Sequence, residues 1–271
     1  PDGVAVKLQQ QREMEALARL HHPGLVTLHD SGTEPGPDGR TYVVTDLVDG
    51  PTLATRMQRG PLSVREIRKL AGALAAALAH VHEGGFVHRD VKPANILLDH
   101  GSEPRLADFG IARALDGTVA TATGAVAGTA AYLAPEQVRG EPVGPAADVY
   151  ALGLVLIEAR TGRREYPGAM VESATARLYR RPVVPPRLPR DLAALLYAMT
   201  DPDPAARPSA ADVVATLQGK PRPRCRRRRV GHALAAAGLL GLVLGGISLI
   251  EDAPAPQPVG AVVPVQMDPG D

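Results

Sequence analysis

HRDVKPANILL, residues 88–98, lies between an Ala-rich amphipathic run over residues 63–82 and a second short string, LADFG, at 106–110. Pro93 keeps the segment from forming a regular helix, because its ring clashes with the preceding turn and it has no N–H to donate. A turn of that kind can aim the side chains of Asp90 and Asn95, five residues apart, at one spot. Asp90 can accept a proton from a hydroxyl, Asn95 can offer its amide oxygen to a hard cation, and Lys92 supplies positive charge where negative charge would build up. Asp108 follows thirteen residues after Asn95, with Phe109 and Gly110 behind it. A carboxylate, an amide oxygen and phosphate oxygens are the ligands that Mg2+ prefers. An isolated Asp-x-x-x-x-Asn more often caps local backbone, so the reading rests on the whole string and its downstream partner.

These residues resemble the catalytic loop, H-R-D-x-K-x-x-N, and the metal-binding turn, D-F-G, of the eukaryotic-like protein kinase family. In that family the loop aspartate orients or deprotonates the substrate hydroxyl, and the lysine steadies the transferred phosphoryl group. The asparagine and the D-F-G aspartate hold Mg2+. The resemblance implies those roles for Asp90, Lys92, Asn95 and Asp108, with ATP and Mg2+ (or Mn2+) as cofactors, and it places Leu97 at the nucleotide. The fold it implies is α+β and two-lobed: a small sheet-plus-helix lobe over residues 1–48, a larger helical lobe over 49–219, and the site between them.

Composition agrees with a substantial core in a chain of 271 residues. Apolar residues make up 45%, yet only 3% are aromatic and there is no Trp, so the core rests on Ala, Leu and Val. The net charge of +1 hides an asymmetry. Seven basic residues and no acid fall in 220–229, which leaves residues 1–219 with 23 basic and 25 acidic side chains. Nothing in that near-neutral body points to nucleic acid. Cys225 is the only cysteine, which excludes an internal disulfide and suits a reducing compartment. Beside a membrane segment it is a candidate for lipidation, though a bystander in a basic linker is the simpler reading.

In chain order, VAVK (4–7) reads as a short strand ending on a lysine, and QQQREMEALARL (9–20) as a helix stopped by HHP at 21–23. By resemblance Lys7 holds the α- and β-phosphates and pairs with Glu13. Two departures from the family pattern appear here. Only five residues separate Lys7 from Glu13, and no Gly-rich loop precedes the lysine strand. The sequence begins on Pro1, without a signal peptide, and an N-terminal truncation is expected. LVTLH (25–29) and TYVVTDLV (41–48) read as strands joined by the Gly/Pro-rich EPGPDG (34–39). By resemblance Thr45 is the gatekeeper, and Asp46 to Val48 form the hinge that meets the adenine edge.

Ser63-Val-Arg-Glu66 is a capping box opening a helix whose core face carries Ile67, Leu70, Ala71, Leu74, Leu78 and Val81. Gly84-Gly85 ends it, and Phe86-Val87-His88 is expected to be a short strand. His80, His82 and His88 lack a carboxylate or cysteine at ligand spacing, so structural roles are expected of them. Small and polar residues fill the stretch from Ile111 to Ala134, a composition expected to be mobile unless pinned. By resemblance it is the activation segment, ending in A-P-E (Ala134 to Glu136). Thr121 and Thr123 are its candidate phosphosites, Arg89 the receiver of that phosphate, and Thr129 faces the substrate. AADVYALGLVLIEART (146–161) is apolar nearly all round, as a central buried helix would be, with Gly162 as its C-cap. By resemblance Asp148 anchors the catalytic loop and Arg207 pairs with Glu136. Ser209-x-x-Asp212 opens a last helix.

After the basic linker 220–229 come 21 residues, 230–250, without a formal charge. They give about 31 Å of helix, enough to span a bilayer core, and the basic flank stays in the cytoplasm. The Pro-rich tail 251–271 would lie outside. Membrane-anchored bacterial serine/threonine kinases have a similar layout. The expected function is therefore transfer of the ATP γ-phosphoryl group to serine or threonine of protein substrates, in transmembrane signalling. Autophosphorylation of the activation segment, in trans within a homodimer, accompanies it. The alternative is a catalytically impaired pseudokinase serving as a membrane-anchored scaffold, motivated by the missing Gly-rich loop. A small-molecule phosphotransferase shares the Asp-to-Asn spacing but predicts no GTAAYLAPE segment, and ranks last.

Overall fold

The computed structural model describes residues 19–33, 41–100, 103–108 and 130–220. Among them, in chain order, come strands β1 (Leu28–Thr33) and β2 (Thr41–Thr45), helices α1 (Leu53–Met57) and α2 (Val64–Glu83), and strands β3 (Ile96–Leu98) and β4 (Pro104–Leu106). Helices α3 (Pro135–Arg139), α4 (Pro145–Thr161), α5 (Met170–Tyr179), α6 (Arg190–Met199) and α7 (Ala210–Leu217) follow. A small sheet thus precedes a larger helical part. The expected VAVK strand, nearly all of the helix over 9–20 and the span over 230–250 lie outside the described residues. Arg19, at the end of that expected helix, sits in a turn.

The helical part is organised by burial on all sides of α4. Every residue from Ala147 to Ala159 is buried, as its apolar run predicts, and α2 and α6 pack against it. Helix α2 presents the face read from its periodicity: Ile67, Leu70, Ala71, Leu74, Leu78 and Val81 are all buried. Its start is fixed by reciprocal hydrogen bonds, Ser63 N–H to Glu66 Oε2 (2.7 Å) and Glu66 N–H to Ser63 Oγ (3.3 Å). Ser209 and Asp212 cap α7 in the same way. Gly162 ends α4 with φ of +72°, a left-handed conformation that costs glycine little, and donates its N–H to Glu158 O (2.7 Å).

The strands depart from expectation in three places, each because backbone groups find a different partner. Strand β1 pairs antiparallel with β2 but starts at Leu28, three residues later than expected, and runs on through the turn-like Asp30-Ser31-Gly32. Upstream of it, Val26 donates to Leu106 O (2.9 Å) and Leu106 to Gly24 O (2.8 Å), so this stretch joins β4 instead. Strand β2 ends at Thr45, since Asp46 N–H goes to Thr27 O (3.0 Å) and the chain from Leu47 leaves the sheet. Phe86-Val87-His88 is not a strand. Phe86 N–H closes the end of α2 on Val81 O (3.1 Å), and His88 N–H is taken by a carboxylate.

The hairpin β3–β4 pairs Ile96 with Leu106 and Leu98 with Pro104. Behind it the segment 50–52 comes very close: Leu98 donates to Pro51 O (2.9 Å), and a Cβ on Gly50 would stand 1.7 Å from Leu98 O. Only glycine fits there. Gly50→Ala is expected to cost about 1–3 kcal/mol, the range for overpacking a fixed site, read as a lowered denaturation midpoint with unchanged m-value. Gly72→Ala, in open space on α2, is the neutral-to-stabilising control.

Candidate active site

The loop between α2 and β3 takes its shape from one carboxylate. Asp148, in the first turn of α4 and 1% exposed, accepts His88 N–H (2.8 Å) and His82 Nε2–H (2.8 Å) on Oδ2. Its Oδ1 accepts Arg89 N–H (2.8 Å). Aiming two successive N–H groups at one carboxylate bends the chain at Arg89, whose φ is +65°, uncommon for a residue with a Cβ.

The His88 ring supports the same bend. Its Nδ1 accepts Asp90 N–H (3.3 Å) and its Nε2 donates to Ala107 O (3.1 Å), which assigns the neutral ring with its proton on Nε2. Burial holds this imidazole below its ordinary range, outweighing the pull of Asp148 and Asp90.

Past Asp90 the chain makes one 3-10 turn, Pro93–Asn95, as the proline predicts. Asp90, Lys92 and Asn95 meet there. Asp90 Oδ2 receives Lys92 Nζ (2.7 Å) and Asn95 Nδ2 (2.9 Å), and Asn95 Nδ2 also donates to Asp90 O (3.0 Å). With the amide nitrogen committed to Asp90, the Asn95 amide oxygen is the atom left for a cation. Asp90 Oδ1 is buried and accepts no hydrogen bond among the described residues. An orphaned carboxylate oxygen beside two fixed donors fits an incoming hydroxyl.

Asn95 is tied to the neighbourhood of Asp108 through the backbone: Ala107 N–H donates to Asn95 O (2.8 Å), and Asp108 is the next residue. Asp108 is exposed, with φ of +55°. One amide and one carboxylate are too few to cage a metal alone but suit Mg2+ that keeps phosphate and water ligands. Among the described residues no group of three or more His, Cys, Asp or Glu could hold a metal. Leu97 is half-buried and alternates with the buried Ile96 and Leu98, so it lies on the opposite face of β3.

Toward the small sheet, Thr45 ends β2 opposite Leu28. The Asp46 carboxylate, hydrogen-bonded by the Thr27 hydroxyl and then by His29 Nε2 (2.6 Å), is held below its usual range. Val48 lies beyond the sheet, half-buried. Lys7, Glu13, Phe109, Gly110, Thr121, Thr123 and Thr129 lie outside the described residues. Arg89 is exposed beside Asp90.

The far side of the site is the segment from Ala130 to Glu136. Arg89, Asp90, Tyr132, Leu133, Gln137 and Asp148 border a common cleft. Glu136 and Arg207 form a buried two-pronged pair, 2.6 Å and 2.8 Å, and Arg207 also reaches Ala146 O (2.9 Å) and Asp201 O (2.8 Å). Two further contacts escape sequence reasoning. Tyr132 Oη donates to Glu158 Oε2 (2.5 Å), where burial raises the Glu158 carboxyl. Arg177 of α5 donates to Ala130 O (2.7 Å) and to Leu133 O. A charged residue inside an otherwise apolar helix, such as Glu158 in α4, is the one signal that was available.

Because His88 is neutral when folded and titrates near its ordinary 6.5 when unfolded, the unfolded chain binds the extra proton first. Stability should hold above about pH 6.5 and fall as pH drops, by up to about 1.4 kcal/mol per unit. His22, also held low, by burial and then by His80, adds to the slope. Denaturant midpoints from pH 7.5 to 5 should therefore show a weaker slope in His88→Phe than in the parent.

Comparison with known proteins accords with this geometry. A family model described as protein kinase domain matches residues 4–217. A probable serine/threonine-protein kinase, PkwA of Thermomonospora curvata, is 41% identical over 212 residues, covering 78% of this chain and 28% of that protein. Serine/threonine-protein kinase PknA of Mycobacterium tuberculosis is 39% identical over 220 residues, 78% of this chain and 51% of its own length. PknB of the same species is 36% identical over 228 residues, 79% and 36%. The matches thus span from about a quarter to a half of those relatives. With the domain match running through the Asp90–Lys92–Asn95 cluster and the Glu136–Arg207 pair, the chain belongs to the eukaryotic-like bacterial serine/threonine protein kinase family.

Proposed function

We propose that this chain transfers the γ-phosphoryl group of ATP to serine or threonine hydroxyls of proteins, its own activation segment among them. The observation that carries the reading is Asp90, with Oδ2 fixed by Lys92 and Asn95 and Oδ1 left buried and without a hydrogen bond among the described residues. Mg·ATP, when bound, supplies the phosphoryl group and a cation that neutralises its charge; the Asn95 amide oxygen and the Asp108 carboxylate are the groups that would hold it. Asp90 Oδ1 orients the acceptor hydroxyl and takes its proton. Lys92, held on the same carboxylate, keeps positive charge beside the place where phosphoryl oxygens develop negative charge. Catalysis of this kind is positioning plus charge stabilisation. The serine/threonine class follows the relatives, which are named serine/threonine-protein kinases.

The membrane part of the proposal rests on sequence. Residues 230–250 carry no formal charge and follow seven basic residues in 220–229, which favours a single cytoplasm-anchored span with the Pro-rich tail outside. Anchoring confines copies to a plane and favours phosphorylation of one copy's Thr121 or Thr123 by another.

Intact mass after incubation with Mg·ATP tests the chemistry. The parent chain should gain one or more phosphates, mapping to Thr121 or Thr123, while Asp90→Asn slows the gain by about 10²- to 10⁴-fold, the worth of a positioned base, and Asp108→Ala removes it. No gain in the parent would favour the scaffold reading. For the anchor, the full chain should stay with membranes through alkaline carbonate washing and a chain ending at Gly219 should not; release of both would refute the span.

A further inference from the structure

Arg177 is 2% exposed, and it forms no salt bridge among the described residues. The contrast with Arg207 is instructive, since that equally buried guanidinium has Glu136 as counter-ion. A buried cation without a carboxylate is costly unless its donors are filled. Those of Arg177 are filled by backbone: Nη2 donates to Ala130 O (2.7 Å) and Ser173 O (2.7 Å), Nε to Ser173 O (3.2 Å), and Nη1 to Leu133 O.

The group is also held in place from behind. Its guanidinium carbon lies 4.8 Å from the centroid of Tyr166, and Arg180 covers the same ring at 4.6 Å. Tyr166 donates its hydroxyl to Arg180 O (3.0 Å), and Ser173 Oγ donates to Tyr166 O (2.8 Å). Arg177 is therefore a rigid fork fixed in α5, and its free ends grip the two carbonyls that flank Ala131 and Tyr132.

Those carbonyls belong to the segment that walls the Asp90 cleft, where Tyr132 and Leu133 face Arg89 and Asp90. Resting on the kinase reading above, we propose that Arg177 is a positioning residue for the reaction: through Ala130 and Leu133 it sets the wall against which the phosphoacceptor residue is seated opposite Asp90. Its work is done on the acceptor side, away from the Asn95 and Asp108 groups. Lysine cannot replace it, because a single ammonium cannot span two carbonyls in a fixed plane.

The test uses the full chain in detergent, as parent, Arg177→Lys and Arg177→Met. Hydrogen exchange needs no activity. Both variants should speed exchange at the amides of Ala131 to Leu133 about tenfold or more while the amides of Leu152 to Ile157 in α4 keep the parental rate. With a synthetic peptide of residues 115–129 as phosphoacceptor, the peptide KM should rise about tenfold in both while kcat and the KM for ATP stay within twofold. Parental exchange and parental peptide KM in Arg177→Lys, or losses spread equally over α4, kcat and both KM values, would overturn the proposal. Arg177→Lys keeps the buried charge and stem, so it carries the test if Arg177→Met fails to fold. A parent that phosphorylates no peptide refutes the kinase reading separately, and exchange still decides the placement of Arg177.

Discussion

The Asp148 carboxylate is the constraint on which the described site depends. It is a charge buried at the start of the most buried helix, and burying a carboxylate is costly unless its lone pairs are filled. Two of its three donors are successive backbone N–H groups, which no substitution but proline removes, and they belong to the residues just before Asp90. The start of α4 and the loop leading to Asp90 are therefore tied together. Losing the carboxylate would strand two backbone donors in the interior beside the left-handed Arg89, a penalty of several kcal/mol by the usual cost of such groups.

Around this centre the buried charges divide the work by geometry. Arg207 locks Glu136 to the helix ends near Ala146 and Asp201, Glu158 takes the hydroxyl of Tyr132, and Arg177 takes two carbonyls. All three converge on residues 130–136, where Ala130, Ala131, Tyr132 and Ala134 are themselves buried. Burial of those side chains is non-directional, and directional, charge-assisted hydrogen bonds add a fixed orientation to it. The loop from His88 to Asn95 facing it is fixed by the same kind of bond. The cleft between them is thus bordered on both sides by polar contacts that resist small displacements.

Much of the helical architecture was legible in the sequence. The capping boxes at Ser63 and Ser209, the buried face of α2, the all-round burial of α4 and its glycine cap are local or periodic properties, set by residues three or four apart. So was the meeting of Asp90, Lys92 and Asn95, because Pro93 forces a tight turn within five residues.

What only the tertiary structure decided are the places where a backbone group chooses among distant partners. Leu25 and Val26 have strand propensity, yet Leu106 rather than Thr45 decides their pairing, and β1 shifts into Asp30-Ser31-Gly32. Phe86-Val87-His88 reads as a strand until Asp148, 60 residues on, takes the His88 N–H. Arg177 carries no local mark of burial, because carbonyl acceptors leave no trace in side-chain identity. Local pattern fixes which residues can form an element; hydrogen-bond satisfaction across the fold settles which of them do.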